Sequence, residues 1–573
     1  MIRIGNCSGY YGDQLSAMKD MLEGGPLDYL TGDWLAELTM LILGRDQLKN
    51  PELGYAKTFV TQMTESMALA KSKGVKIVSN AGGLNPAGLA NKLREIAAEQ
   101  GLEINIAHIE GDNIIERAAE FGFGNALTAN AYLGAFGIAQ ALQAGADVVV
   151  TGRVTDASVI VGPAIAHYGW GREDFDQLAS AVAAGHIIEC GTQATGGNFS
   201  GFTEIPDMMN LGFPIAEIDE NGDFTITKHE NTGGAVTVDT VTAQLMYEIT
   251  GHVYLNPDVT THFDSMTVIQ EGEDRVRVRG VKGSAPPETT KVSLNEMGGY
   301  RNRIEFLLTG LEIEAKAELI KKQMEAAISA NRPEVVEWTL DRTDHLNPAT
   351  QALGTASLRI DVKSKSAEPV GRAFSDAAAN VALASYPGFY LMQRPVPGTP
   401  YGVFRAGYVP QEKVPHVLVL QDGSRIDIAH PSNVVPAPDL RVSAVTNFDG
   451  EHEDVGEERV VAFGRLIHAR SGDKGGDGNI GVWIAADNPS RDDAYNWLKH
   501  FLTIDRVREL LPESAELDID IHHFDNLRSI NVVIHGILGE GVAASTRLDP
   551  QAKALGEWLR SREVSVPARL VAE

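Results

Sequence analysis

At 573 residues the chain has room for roughly two to four domains, and a composition of 43% hydrophobic and 22% charged residues excludes long disorder and any fibrous chain. Lysine and arginine number 49 against 77 aspartate and glutamate, and the net charge of −28 opposes nonspecific binding to nucleic acid or to an anionic membrane surface. Two cysteines, Cys7 and Cys190, exclude a disulfide framework and an all-thiolate zinc or iron–sulfur site, and they fit a reducing cytoplasm.

The N-terminal run MIRIGNCSGYYGDQ reaches glycine and polar residues too early for a signal peptide, and later apolar runs stop well short of the roughly 20 residues that span a bilayer. A cytoplasmic protein with no membrane or nucleic-acid partner is expected. From Ile2 to Cys190 one theme recurs: apolar run, glycine or asparagine turn, helical pattern. Ile2–Ile4 leads to a helix through Leu22, and Leu27–Leu30 passes through Thr31, Gly32 and Asp33 into WLAELTMLIL. Val75–Val78 runs into SNAGGLNP and a helix from Ala87 to Gln100; strands Ile104–Ile109 and Asp147–Val150 follow, separated by helical stretches that include AYLGAFGIAQALQAGA. This alternation predicts an α/β fold whose N-terminal domain, residues 1–204, is built on a parallel sheet covered on both faces. Residues 205–455 change to short alternating runs with one strong helix, Leu311–Ala330, and read as an α+β middle region. The Pro- and acid-rich stretch from HPSNVVPAPDL to NFDGEHEDVGEER reads as a linker. Residues 459–573 then give strand Val460–His468, a loop, strand Ile480–Ile484, helices over Asp492–Leu511, strands Leu517–His522 and Ile530–Ile537, and a helix Pro550–Ser561, which suggests a small ferredoxin-like split βαβ domain.

Several turns carry chemistry. Asn80, Gly82, Gly83 and Asn85 lie where a strand ends and a helix begins, a place where bare backbone and a helix N-terminus suit an anion, or where a tight turn simply needs glycine. Thr151, Arg153 and Asp156 follow the next strand in the same way; Arg153 suits a carboxylate or phosphate, while Asp156 either holds Arg153 or caps the next helix. His186 and Glu189 share a helix face as an acid/base pair beside Cys190, which is either a nucleophile or a buried small hydrophobe. Gln193, Thr195, Gly196, Gly197 and Asn198 form a further polar glycine turn, and Asn231 to Gly234 another, placed before a β-rich run. Arg470, Asp473, Lys474 and Asn479 crowd the glycine-rich tail loop, which carries more than a plain hairpin requires. His522 and His523 are neighbours on a strand and face opposite ways, so they cannot chelate one ion together. The pattern points to no particular cofactor or metal.

The runs SGYYGDQ, LDYLTGDWLAE, SNAGGLNP, GADVVVTGRVTDASVIVGP, AGHIIECGTQATGGNF, TGGAVTVDTVTAQLMYEI, YLNPDV and ASYPGFY, with RSGDKGGDGNIGV in the tail, resemble the acyclic terpene utilisation (AtuA) family and its C-terminal ferredoxin-fold domain. The resemblance implies a catabolic role around a branched or terpenoid acyl-CoA or a related small organic acid; it supplies no list of catalytic residues. With it, the residues suggest a lyase or hydratase in which His186, Glu189 and Arg153 act, assembled as a homo-oligomer. The alternative is a noncatalytic partner of an acyl-CoA carboxylase. The tail loop is expected to close the strand-end cleft.

Overall fold

The computed structural model describes residues 1–443 and 456–571, which form two compact units, one of residues 1–295 with 404–571 and one of residues 296–403. The stretch read as one α+β region is therefore divided between them. The core of the expected acidic linker, residues 444–455, lies outside the described residues.

Five parallel strands form the centre of the first unit, in the order Ile2–Asn6, Tyr29–Gly32, Lys76–Ser79, Val148–Thr151 and Ile106–Glu110. Alternate residues serve opposite faces. Ile77, Val148, Val150 and Ile106 point to a core with the helices Ala17–Gly24, Lys57–Lys73 and Pro86–Glu99. Val78, Val149, Ala107 and Ile109 point to the other core, shared with the helices Phe136–Gln143, Ser158–Tyr168 and Phe175–Ile188.

The sheet does not stay parallel. Antiparallel strands Pro214–Ile218, Phe224–Lys228, Arg275–Arg279 and Thr267–Gly272 extend one side, and Val417–Val419 with Arg425–Asp427 extend the other, giving eleven strands. Tight turns such as the one at Gly222, where φ is +92°, return the chain at once and leave no room for a crossover helix. Two segments read differently from their sequence. Thr128–Ala131, before the expected helix, is a strand paired with Val292–Asn295, and the run after Gly234 is the helix Val238–Leu245, started by a capping box between Thr237 and Thr240.

The C-terminal part carries an antiparallel four-stranded sheet, Ile467–Lys474, Asp477–Ile484, Ser529–Ile534 and Ile519–Phe524. Asp477–Ile484 and Ile519–Phe524 are joined through the helices Arg491–Phe501 and Ile504–Leu510 and flank Ser529–Ile534, antiparallel to both, which is the expected split βαβ of a ferredoxin-like domain. The strand expected over Val460–His468 is broken: Glu458–Ala462 pairs instead with Glu563–Pro567, and a short 3-10 turn separates it from Ile467. The expected tail loop is mostly strand, since Arg470 to Asn479 lies in the ladder except for the turn Gly475–Gly476.

In the second unit, Val335–Asp341, Thr355–Ser364, Tyr300 to Thr309 and Tyr390–Leu391 make an antiparallel sheet. The helices Ile313–Ile328 and Arg372–Asn380 pack on it around Phe306, Ile320, Met324 and Phe374. Among the described residues no helix is long and apolar enough to cross a membrane.

Candidate functional site

Because the central strands are parallel, their C-terminal ends lie along one edge, where the following residues meet. Asn6 ends the first strand, and its Nδ2 donates to the carbonyls of Ile188 at 2.8 Å and Glu189 at 3.1 Å. Asp33 follows the second strand and accepts from Asn80, which follows the third; Asn80 Oδ1 accepts from the Trp34 amide at 2.8 Å. The glycines beside Asn80 serve packing. A Cβ on Gly82 would stand 2.4 Å from the Thr151 carbonyl oxygen, and one on Gly83 2.7 Å from the Gly54 carbonyl oxygen. Asn85 caps the helix that follows, accepting from Gly88 at 2.8 Å, and the Thr151 hydroxyl donates to the Gly152 carbonyl at 2.8 Å.

Arg153 follows the fourth strand and is buried. Nη1 donates to the Leu35 carbonyl at 2.6 Å, Nη2 pairs with Asp156 Oδ1 at 2.8 Å, and the guanidinium lies 4.2 Å from the Tyr132 ring centre. Of the two roles open to Asp156, the geometry has it holding Arg153; the next helix has Ala157 at its N-cap and no side-chain cap. Buried Asp112 accepts from the Arg153 amide at 2.8 Å and from Asn130 at 2.7 Å, and burial pushes its carboxyl up to about 6.

The helix Phe175–Ile188, apolar almost throughout, carries His186 into the interior and leaves Glu189 as its C-cap. The two are 3% and 5% exposed. His186 Nδ1 is 3.3 Å from Glu189 Oε1, and the imidazole packs against the Tyr254 and Phe263 rings at 5.1 and 5.3 Å. Burial, aided by Lys474, lowers His186 to about 4; Glu248 and Asp156 act the other way. Burial, with Asp156 and Glu248, pushes Glu189 well above the carboxylate range against Lys474 and Arg153. Burial thus favours the neutral form of both groups. Neither His186 nitrogen nor Glu189 Oε2 makes a hydrogen bond of good geometry among the described residues. Burial drives the Cys190 thiol far up, which keeps it in its unreactive form.

The C-terminal sheet covers this region. Arg470 donates to Gln193 Oε1 at 2.5 Å and to the Asn198 carbonyl at 3.4 Å, and lies 4.2 Å from the Tyr247 ring. The turn it grips is held within itself: Thr195 Oγ1 donates to Thr192 and Gly212, and Gly196 and Asn198 have φ of +110° and +57°; a Cβ on Gly197 would crowd the Thr192 carbonyl at 3.0 Å. Asn479 accepts from the Glu248 amide at 2.9 Å and donates to the Met246 carbonyl at 2.8 Å. Lys553 bonds Tyr247, Glu248 at 2.8 Å and Asp473 at 3.3 Å. Lys474 lies 5.6 Å from the Tyr254 ring. Apart from this region, His522 is buried against His252, and the His523 carbonyl accepts from His252.

Sequence reasoning missed Asn6, Asp33, Glu248, Tyr254 and Lys553. Asn6 and Asp33 carry the same strand-end signal as Asn80 and Arg153 and were within reach; the other three have no local signal. Among the described residues no group of three or more His, Cys, Asp or Glu side chains is gathered to hold a metal ion.

Neither the curated proteins nor the solved structures provide a match. Two family models do. One, described as AtuA ferredoxin-like domain, matches residues 461–565. The other, described as acyclic terpene utilisation family protein AtuA, matches residues 2–420, so the chain belongs to that family.

Proposed function

We propose that the protein is a catabolic lyase or hydratase acting on a branched or terpenoid acyl-CoA or a related organic acid, with His186 and Glu189 moving the protons. A catabolic role fits the family. The observation that carries the reading is the buried pair itself, whose surroundings push the two groups toward opposite tasks. Neutral His186 is ready to accept a proton and protonated Glu189 to give one, the division of labour an eliminase needs. In the dehydrating direction His186 takes the proton from the carbon next to the carbonyl. That electron pair forms the double bond, the neighbouring C–O bond breaks, and the departing hydroxide leaves as water with the Glu189 proton. A proton relayed across the 3.3 Å between Nδ1 and Oε1 returns both groups to their starting forms. Arg153, fixed on Asp156 and Leu35, acts here as a support for the edge of the site.

The test is exchange in deuterium oxide. The purified protein, given a branched 2,3-unsaturated acyl-CoA and the corresponding 3-hydroxy compound, is expected to introduce deuterium beside the carbonyl, read by mass spectrometry. His186→Gln is expected to abolish it. No exchange and no turnover with either compound, together with co-purification with an acyl-CoA carboxylase, would overturn the reading in favour of a binding partner.

A further inference from the structure

Lys474 is the last residue before the turn Gly475–Gly476 of the C-terminal hairpin. The other cations of the site are engaged: Arg153 with Asp156, Lys553 with Glu248 and Asp473, Arg470 with Gln193. Half-buried Lys474 has no ion pair among the described residues, although the chain carries a net charge of −28. Two carboxyls lie in its field: Glu189, which burial raises well above the usual carboxylate range, and Glu248, which is held below that range and is already bonded to Lys553. An ammonium partly withdrawn from water with no ion-pair partner of its own is costly, and an incoming anion relieves that cost.

The surroundings fit such an anion. The Tyr254 ring under Lys474 also flanks His186, at 5.1 Å, and stacks on Phe263 at 5.5 Å. Next to Lys474, a Cβ placed on Gly475 would touch the Phe404 ring at 3.6 Å. A second lysine, Lys291, stands 5.2 Å from that same ring and 5.1 Å from the Tyr132 ring, on whose face Arg153 lies. Lys474, Lys291 and the three rings thus form a chain of contacts that reaches His186 through Tyr254.

We propose that Lys474, flanked by Phe404 and Tyr254, seats the anionic end of an organic acid, a carboxylate or a phosphate, whose apolar body lies against the rings. This rests on the reading that His186 and Glu189 move the proton, and it adds the substrate's charge and the residue that anchors it. It also gives the C-terminal domain a direct part in binding.

Calorimetry on the full chain tests it with three probes that share one apolar body: 3-methylbut-2-enoate, 3-methylbut-2-enyl phosphate and the neutral 3-methylbut-2-enamide. At least one anion is expected to bind, to weaken with added salt, and to bind about tenfold more tightly than the amide. The stronger anion identifies the group. Lys474→Gln is expected to lower that affinity about tenfold and Lys474→Arg to restore most of it, with melting temperatures showing that both variants fold. Binding of neither anion, equal binding of amide and anion, or unchanged affinity in Lys474→Gln overturns the proposal. His186→Gln separates the two readings: it is expected to keep anion affinity and lose deuterium exchange. If it keeps exchange while Lys474→Gln loses affinity, the proton-transfer reading fails and the anion seat stands; the reverse pattern removes the seat alone.

Discussion

Arg153 shows how a functional-looking residue is absorbed by its surroundings. A strand-end arginine suggests a carboxylate clamp, but its two outer nitrogens serve Leu35 and Asp156, and its face lies on Tyr132. Arg153→Lys keeps the charge and loses the fork, so it is expected to destabilise the protein by about 1–3 kcal/mol, seen as a lower urea midpoint. An unchanged midpoint would show that a point charge suffices. His186 gives a pH signature. Its folded value, about 4, lies below its ordinary 6.5, so its contribution to stability is present above pH 6.5 and is lost as pH falls toward 4. Buried Asp112, raised from 3.8 to about 6, has the opposite sign: its contribution is present below 3.8 and is lost as pH rises through 6. Comparing wild type with His186→Gln isolates the histidine. From pH 6.5 to 4 the wild type is expected to lose roughly 2–3 kcal/mol relative to the variant. A pH-independent difference in denaturation midpoints would mean that His186 does not stay neutral in the fold.

At the scale of elements, the strand-to-helix turn at Gly82 and the C-terminal hairpin behave differently. Gly82 lies against the backbone of the next strand end, and an added methyl group meets the Thr151 carbonyl oxygen and Pro86, neither of them the movable end of a side chain. Gly82→Ala is therefore expected to cost about 1–3 kcal/mol, read as a lower melting temperature, and an unaffected variant would show that the turn can shift. SNAGGLNP made that turn legible in advance, because glycine, the asparagine cap and the first-turn proline are local signals. RSGDKGGDGN was harder to read. Its charges and glycines suggest a loop, yet it continues two paired strands, because Ser471 and Asn479 answer to partners far along the chain. Asn479 shows this directly: it pairs with Asn531 at 2.9 Å on its own sheet and binds the backbone of residues 246 and 248. Asn479→Ala leaves that backbone unpaired and is expected to cost about 2–4 kcal/mol, measured by urea unfolding.

At the scale of the molecule, the C-terminal sheet shares a core with the rest of its unit. Trp483, fully buried, packs with Phe199, Ile205 and Ala243, and its indole donates to Asp239 at 3.0 Å. Cutting the chain near residue 455 removes this cover and exposes the segment that holds Glu248. The remainder is expected to lose deuterium exchange and to melt lower, with residues 456–573 added in trans restoring part of both. A remainder with full activity would make the tail an independent module. What the sequence by itself determined were the local features: the strand–turn–helix repeats, the helix caps, the pairing of His186 with Glu189 three residues on, and the family. Each rests on interactions between residues close in the chain, which periodicity and turn chemistry record. Only the tertiary structure decided that Arg153 is engaged, that the tail loop is a hairpin, and that Lys474 faces Tyr254 beside His186. The physical reason is that charge states and partners follow from which groups lose water together, and that is settled by segments hundreds of residues apart.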